Sequence, residues 1–390
     1  MASFGDVRLL AGIEIPYRRH ADTTTTDLLS DALRAVLARA GIAHREVDGL
    51  GIASFTLAPD HAIDFAWRAG LTLRWCADDC LGGASGVNLL QHAARAIQAG
   101  DANVVVLLAG DHFGPADFTA LVENYNRATR DHLTPLRTGG PNPLFAMLTQ
   151  RQMQASGLRR EDYAALCIAQ REWAGKNPQA VYRAPLTLDA YLAAPLVSDP
   201  LCRFDCVPVV SGANALVLTR ATHPAARRAA EAGHALIAIR ALRALYNFDH
   251  QEGEGLRSGL HELRDDLWAD AGLGPEDVDV ISVYDDYPAM VLAQLADLGF
   301  NGDGDLHRLI HDRIAPHRLA VNTSGGQLSV GQAGAAAGMH GLTEALFQLQ
   351  RDAGARQIPD ARIATVSGYG MVQYRYGMCA NAVVLEREAR

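Results

Sequence analysis

The chain has 390 residues, 49% of them apolar, and a formal net charge of −9. The length exceeds the roughly 100–200 residues of one ordinary domain, and the acidic balance argues against nucleic acid or an anionic membrane as the main partner. Six cysteines are too few to staple such a chain; the pairs Cys76/Cys80 and Cys202/Cys206 have no neighbouring histidine, so with Cys167 and Cys379 they are expected to be plain thiols, with no metal.

The first twenty residues hold no sustained apolar segment behind a basic start, and the run "VVVLLAG" from Val104 is far short of a bilayer span. A cytoplasmic protein is expected. From Ala40, "AGIAHREVDGLGIASF" reads as a helix end, an acidic turn and a strand. The stretch "DCLGGASG", Asp79 to Gly86, then opens an amphipathic helix that leads into the buried strand at Val104. Glycines at such an entry leave room for a reacting group at the electropositive helix end, yet Gly83 supplies none. Residues 119–200 mix prolines, charges and aromatics without strand rhythm and read as an inserted, mostly helical loop domain; "SGANALVLT" then returns the chain to a core strand.

The second half repeats the first. "AGLGPEDVDVISVYDD" from Ala271 aligns without gaps to the Ala40 block, matching Gly41 with Gly272, Val47 with Val278 and Asp48 with Asp279. A second glycine-rich loop, helix and strand follow in the same order from Gly334. The expected organisation is an N-terminal half from 1–118 and 201–231, the insertion 119–200, and a C-terminal half 232–390. Alternating strands and helices predict α/β layering with largely parallel pairing, with room for mixed parts in each sheet, and a site near the axis between the halves, beyond the strand C-termini.

The blocks "SGANALVL", "NTSGGQLSVGQAGAAAG" and "YGMCANAVVLE", with the duplication and the insertion, resemble the thiolase superfamily, in particular sterol-carrier-type thiolases and the thiolase-fold aldolases that shorten steroid side chains. The resemblance implies two βαβαβαββ halves in a layered αβαβα arrangement. Where such thiolases carry a nucleophilic cysteine, in Cys-x-Ser-Gly, this chain has Gly83-Ala84-Ser85-Gly86. Their Gly-His-Pro block is Gly331-Gln332-Ala333, and their His-Asp-Cys-Phe is Tyr284-Asp285-Asp286-Tyr287. The Cys-x-Gly near the C-terminus corresponds loosely to "QYRYGMCAN", with Tyr374, Tyr376 and Cys379.

An acyl-enzyme needs an activated thiolate, whereas retro-aldol cleavage of a β-hydroxyacyl-CoA needs a base and a holder for the enolate oxygen. On this reading Tyr284 and Asp286 form the acid/base pair, with Tyr369 of "SGYGM" a third candidate. Gln332 and backbone amides near Gly83 and Ser85 hold the enolate oxygen, and Asn322, Ser324 and Gly325 contact substrate. Competing readings stay open at this point. Asp285 or Asp286 caps a helix starting near Pro288; Tyr284 and Tyr287 are strand aromatics; Gln332, Asn322 and Thr323 only satisfy loop backbone; His92 and His340 are structural. A non-catalytic acyl-CoA-binding scaffold, or an acyltransferase using Cys80, also explains the missing nucleophile. No cofactor is expected beyond the CoA of the substrate. The resemblance further implies a homodimer, paired through the sheet edge near "NVVVLLAG" and "LRWCADDC", and a small OB-fold, zinc-ribbon subunit.

Overall fold

The computed structural model describes residues 4–19, 22–136, 140–248, 255–373 and 376–388. The N-terminal half runs β1 (Val7–Arg18), α1 (Thr25–Ala40), β2 (Gly49–Ala53), α2 (His61–Ala69), β3 (Trp75–Asp79), α3 (Ser85–Ala99) and β4 (Val104–Asp111). Next come α4 (Pro115–Glu123), α5 (Pro141–Ser156), α6 (Arg160–Gly175), α7 (Leu188–Leu192) and the short strands β5 (Leu196–Ser198) and β6 (Leu201–Cys202). The chain rejoins the first half through β7 (Ser211–Arg220) and α8 (Pro224–Glu231). The second half follows as β8 (Ile237–Tyr246), α9 (Leu260–Ala271), β9 (Val280–Val283), α10 (Pro288–Asp297), α11 (Leu306–Arg308), α12 (Gln327–Val330), α13 (Ala337–Gln350), β10 (Ile363–Gln373) and β11 (Tyr376–Arg387).

Among the described residues the nine long strands form one ladder in the order β3-β2-β4-β7-β1-β8-β11-β10-β9. Its halves meet at β1 and β8 through only Arg8↔Ala238 and Leu9↔Ile237. Pairing is parallel in β3-β2-β4 and β9-β10 and antiparallel elsewhere, so the expectation of largely parallel strands gives way to a mixed sheet. The reason is that β7 and β11 return antiparallel between the parallel set and the central strand of each half. An isolated bridge, Ile281↔Val321, stands where β3 stands in the first half.

Side-chain alternation along the strands separates three cores. In β4, Val105, Leu107 and Ala109 face α3 and α13, while Val104, Val106 and Leu108 face α1 and α2. In the second half Val383 and Leu385 join the central core, while Ala382 and Val384 face α9 and α10. Period-two burial on both faces of each half-sheet thus yields five layers, with α3 and α13 shared in the middle. A side chain on Gly86 would collide with the Gly338 carbonyl, and one on Gly338 with the Gly82 carbonyl, so these glycines set how closely the two helices approach.

The matched residues of the repeat do matched work. Gly41 and Gly272 end α1 and α9 in the left-handed conformation, with φ of 63° and 65°. Asp48 accepts the N–H groups of Asn103 and Val104 at 2.8 and 2.9 Å, where β4 begins. Asp279 does the same for Arg362 and Ile363, at 2.8 and 2.9 Å, where β10 begins.

Candidate active site

A cavity of about 210 Å3 opens where α3 and α13 begin. Its polar side is built from Tyr284, Asp286 and Gln332, with the glycine turns Gly82-Gly83 and Gly334; its remaining wall is largely apolar, including Phe55, Phe113, Phe118, Leu121, Phe145 and Met290. Gly82 and Gly334 take φ of 57° and 54° at corresponding points of the repeat, each starting a turn of 3-10 helix that runs into its central helix. Both helix N-termini, and their positive dipole ends, are therefore directed to one place. The first turn is held by Asp79, which accepts Leu81 N–H at 2.8 Å and Asn88 Nδ2 at 2.5 Å. The second is held by Asp111 at the end of β4, which accepts Ala335 N–H at 2.7 Å and the Ser54 hydroxyl at 2.7 Å.

Gly83 has no space for a side chain. A Cβ there would run into the ring of Tyr284 and the carbonyl oxygen of Tyr369. The phenol of Tyr284 thus fills the volume that a nucleophile projecting from position 83 would occupy.

Tyr284 and Asp286 follow β9 on alternate positions and point into the cavity. The Tyr284 hydroxyl donates to Asp286 Oδ2 at 3.0 Å. Gln332 Nε2 donates both to Tyr284 Oη at 3.0 Å and to Asp286 Oδ1 at 2.7 Å. Burial pushes the Asp286 carboxyl up to about 7, against the hydrogen bonds from Tyr284 and Gln332 and with the help of the Asp285 charge. Burial and the Asp286 charge push the Tyr284 phenol well above its ordinary value, so it is neutral at physiological pH.

Asp285, the intervening residue, points the other way. It accepts Gln170 Nε2 at 2.6 Å and the N–H groups of Gln327 and Leu328 at 2.9 and 3.4 Å, at the start of α12. It caps that short helix; α10, starting at Pro288, has Tyr287 before it and no side-chain cap. Tyr287 stacks on Phe145 at 4.4 Å and donates to Asn142 Oδ1 at 2.6 Å, fastening the insertion to the cavity rim.

The other sequence candidates separate. Tyr369 lines the cavity, but its hydroxyl accepts Gly377 N–H at 2.6 Å across the β10–β11 hairpin. Ser85 is buried at the start of α3 and is absent from the cavity wall. Asn322, Ser324 and Gly325 lie beneath the floor instead of facing the cavity: Asn322 Oδ1 accepts Val283 N–H at 2.9 Å, Ser324 Oγ is 2.8 Å from His340 Nε2, and Gly325 is pressed on Ala174. Thr323 likewise bonds Glu344, at 2.7 Å. His340 is buried and 2.8 Å from Glu14, whereas His92 is exposed on α3. Cys80 is exposed and outside the cavity wall, and burial with the charges of Asp79 and Asp78 pushes its thiol up, the wrong direction for a nucleophile. Tyr374 lies outside the described residues. The sequence reading missed Asp111, and it missed Tyr125 and Cys206, which line the cavity. Asp111, a carboxylate ending an all-apolar strand, carried a readable signal; Tyr125 and Cys206 carried none.

Residues 264–386 match the family of thiolase C-terminal domain-like sequences. Over 86% of this chain and 89% of its own length, the 17-hydroxy-3-oxo-4-pregnene-20-carboxyl-CoA lyase of Mycobacterium tuberculosis is 31% identical. The chain belongs to the thiolase superfamily, in its branch of steroid side-chain aldolases. The steroid side-chain-cleaving aldolase of Thermomonospora curvata is 29% identical over 86% of this chain and 88% of its own. A solved Ltp2-ChsH2(DUF35) aldolase superposes with a TM-score of 0.81 at 24% identity, over 99% of each chain, which confirms the duplicated thiolase fold.

Proposed function

We propose that this thiolase-fold protein is a carbon–carbon lyase that cleaves a bulky, steroid-like β-hydroxyacyl-CoA by a retro-aldol reaction. The observation that carries the reading is the Tyr284–Asp286–Gln332 triangle facing an apolar cavity, with the Tyr284 ring in the space beside Gly83. A carboxyl titrating near 7 is matched to general-base work at physiological pH. Asp286 takes the proton of the β-hydroxyl, the Cα–Cβ bond breaks, a ketone forms, and the electron pair moves onto the thioester oxygen as an enolate that is then protonated at Cα. Tyr284, neutral, hydrogen-bonds the base and passes or returns the proton. Both N–H groups of Gln332 are committed to this pair, so Gln332 positions the base, and the enolate oxygen is held by backbone amides near Gly83.

The two relatives, a steroid-carboxyl-CoA lyase and a steroid side-chain-cleaving aldolase, support the substrate class. Assembly belongs to the same proposal. β4 is an interior strand, so "NVVVLLAG" forms no edge; the edge is β3. β3 lies beside α2, where Ile63 and Trp67 are 69% and 78% exposed, and a homodimer pairing there covers both. A small OB-fold subunit beside the cavity mouth is in keeping with the two-protein Ltp2-ChsH2(DUF35) make-up of the structural neighbour. No described helix is long and apolar enough to cross a membrane, and a cytoplasmic location is part of the proposal.

The test is release of ketone and shortened acyl-CoA from a panel of β-hydroxyacyl-CoA thioesters, steroid and linear, with and without the co-expressed OB-fold protein. Steroid thioesters are expected to be cleaved and linear ones spared. No cleavage of any member by the assembled protein, or full activity in Tyr284→Phe and Asp286→Asn, would overturn the assignment.

A further inference from the structure

A second group of chemically able side chains sits where α6 meets the segment around α11. Asp162, in the first turn of α6, is buried, and its Oδ2 accepts the N–H of Arg159 at 2.7 Å, which fixes the carboxylate plane. Its other oxygen, Oδ1, faces two imidazoles, His311 Nε2 at 2.7 Å and His307 Nε2 at 3.6 Å. The two histidines are four residues apart on the helical segment Leu306–Ile314, and their rings lie side by side, centroids 4.4 Å apart. The three ligand atoms all lie within 4.8 Å of one another.

A tetrahedral zinc ion bound at about 2.0–2.2 Å places its donors roughly 3.3–3.6 Å apart. Of the two separations from Oδ1, 3.6 Å lies at that spacing and 2.7 Å is shorter, so small side-chain rotations bring the three donors around one ion. The donor set of two imidazoles and one carboxylate suits Zn2+ and its first-row neighbours and not Ca2+ or Mg2+, which prefer oxygen alone. The second oxygen of Asp162, held by a backbone N–H, is the kind of outer contact that orients a metal-binding carboxylate. The side chains of His307 and His311 are 61% and 39% exposed, so an ion has a path from solvent and an open position for water.

We propose that Asp162, His307 and His311 form a divalent transition-metal site that pins the start of α6 to the segment Leu306–Ile314. Cysteine spacing pointed to no metal, and it could not reveal this set, because His311 is 149 residues from Asp162. The site is remote from bond cleavage but linked to the floor of the cavity. Eight and nine residues on, about 12–14 Å along the helix, Gln170 bonds Asp285 at 2.6 Å and Arg171 bonds Ser329 at 2.9 Å. A bound ion therefore steadies the helix that supports the layer below Asp286.

The experiment strips the full-length protein with EDTA and titrates it with Co2+ and Zn2+. The expected result is one equivalent of Co2+ with visible d–d bands of a low-coordinate site, displaced by Zn2+, and a melting temperature raised by a few degrees with Zn2+. His307→Ala, at an exposed position, and Asp162→Asn, which keeps an oxygen for the Arg159 N–H, are expected to weaken uptake at least tenfold and to abolish the thermal shift, while melting as the metal-free wild type does. Failure of the wild type to take up a stoichiometric ion, or uptake undiminished in His307→Ala and His311→Ala, would overturn the site.

Discussion

Asp285 and Asp286 are adjacent in sequence, and burial raises both, to about 6 and about 7, yet they serve two different regions of the molecule. Below the floor, Asp285 is saturated by two backbone N–H groups and Gln170 and holds α12 in place. Above it, Asp286 has side-chain partners only, Tyr284 and Gln332, and faces the cavity. The strand's alternation continues three residues past β9, through Asp286, and sends the neighbours to opposite faces. A perturbed carboxyl thus marks a functional candidate only when its partners leave it room to exchange a proton.

The largest expected effect separates these regions directly. Asp286→Asn is expected to lower kcat/KM by about three orders of magnitude, the usual worth of a positioned base, with little loss of stability. Asp285→Ala leaves buried donors unmet and is expected to cost about 2–4 kcal/mol in urea unfolding; the fraction that stays folded is expected to keep activity within about tenfold of wild type. Equal activity losses in the two variants would erase the distinction.

Next in size is the contact between Gly83 and Tyr284. Gly83→Cys is expected to lose about 2–3 kcal/mol of stability through overpacking and to gain no acyl-enzyme, because the new side chain meets the Tyr284 ring and the Tyr369 carbonyl. A stable Gly83→Cys protein that forms a thioester adduct by intact mass would show that the ring yields.

Much of this architecture was legible because the chain says it twice. Gly41 with Gly272 and Asp48 with Asp279 marked equivalent helix ends and strand starts, and each pair makes the same local contacts. That Tyr284, Asp286 and Gln332 meet at one cavity was legible through motif position. Partner choice across long sequence separations was not. Gln170, which decides the fate of Asp285, is 115 residues away, and no spacing rule places Asn322 and Ser324 beneath the floor instead of on the wall. Half of the edge was misjudged for the same reason: "LRWCADDC" holds the edge strand β3, whereas "NVVVLLAG" is interior and is more apolar because it is covered on both sides.

A smaller effect concerns pH. Between about pH 4 and 7 the folded chain keeps a proton on Asp286 that the unfolded chain has released, so this group lowers unfolding free energy as pH rises through that window. Asp286→Asn removes the penalty. The variant is expected to match wild type near pH 4 and to be the more stable of the two at pH 8, measured by urea unfolding at both values. An identical difference at the two pH values would mean that Asp286 does not titrate in this range.

The smallest effect tests whether Gln332 positions the base. Its amide favours the ionised form of Asp286, so its hydrogen bond lowers a carboxyl that burial has raised. Gln332→Leu keeps the approximate volume and removes both donated bonds, leaving the Tyr284 hydroxyl as the remaining donor to the carboxylate. The base then ionises at higher pH, and the acid limb of kcat/KM against pH is expected to move up by about half a unit to one unit, with a modest loss on the plateau. Direct binding of the enolate oxygen by Gln332 predicts otherwise: a plateau lower by about two to three orders of magnitude and an unmoved midpoint. That outcome would return Gln332 to the oxyanion hole and leave Asp286 as the base.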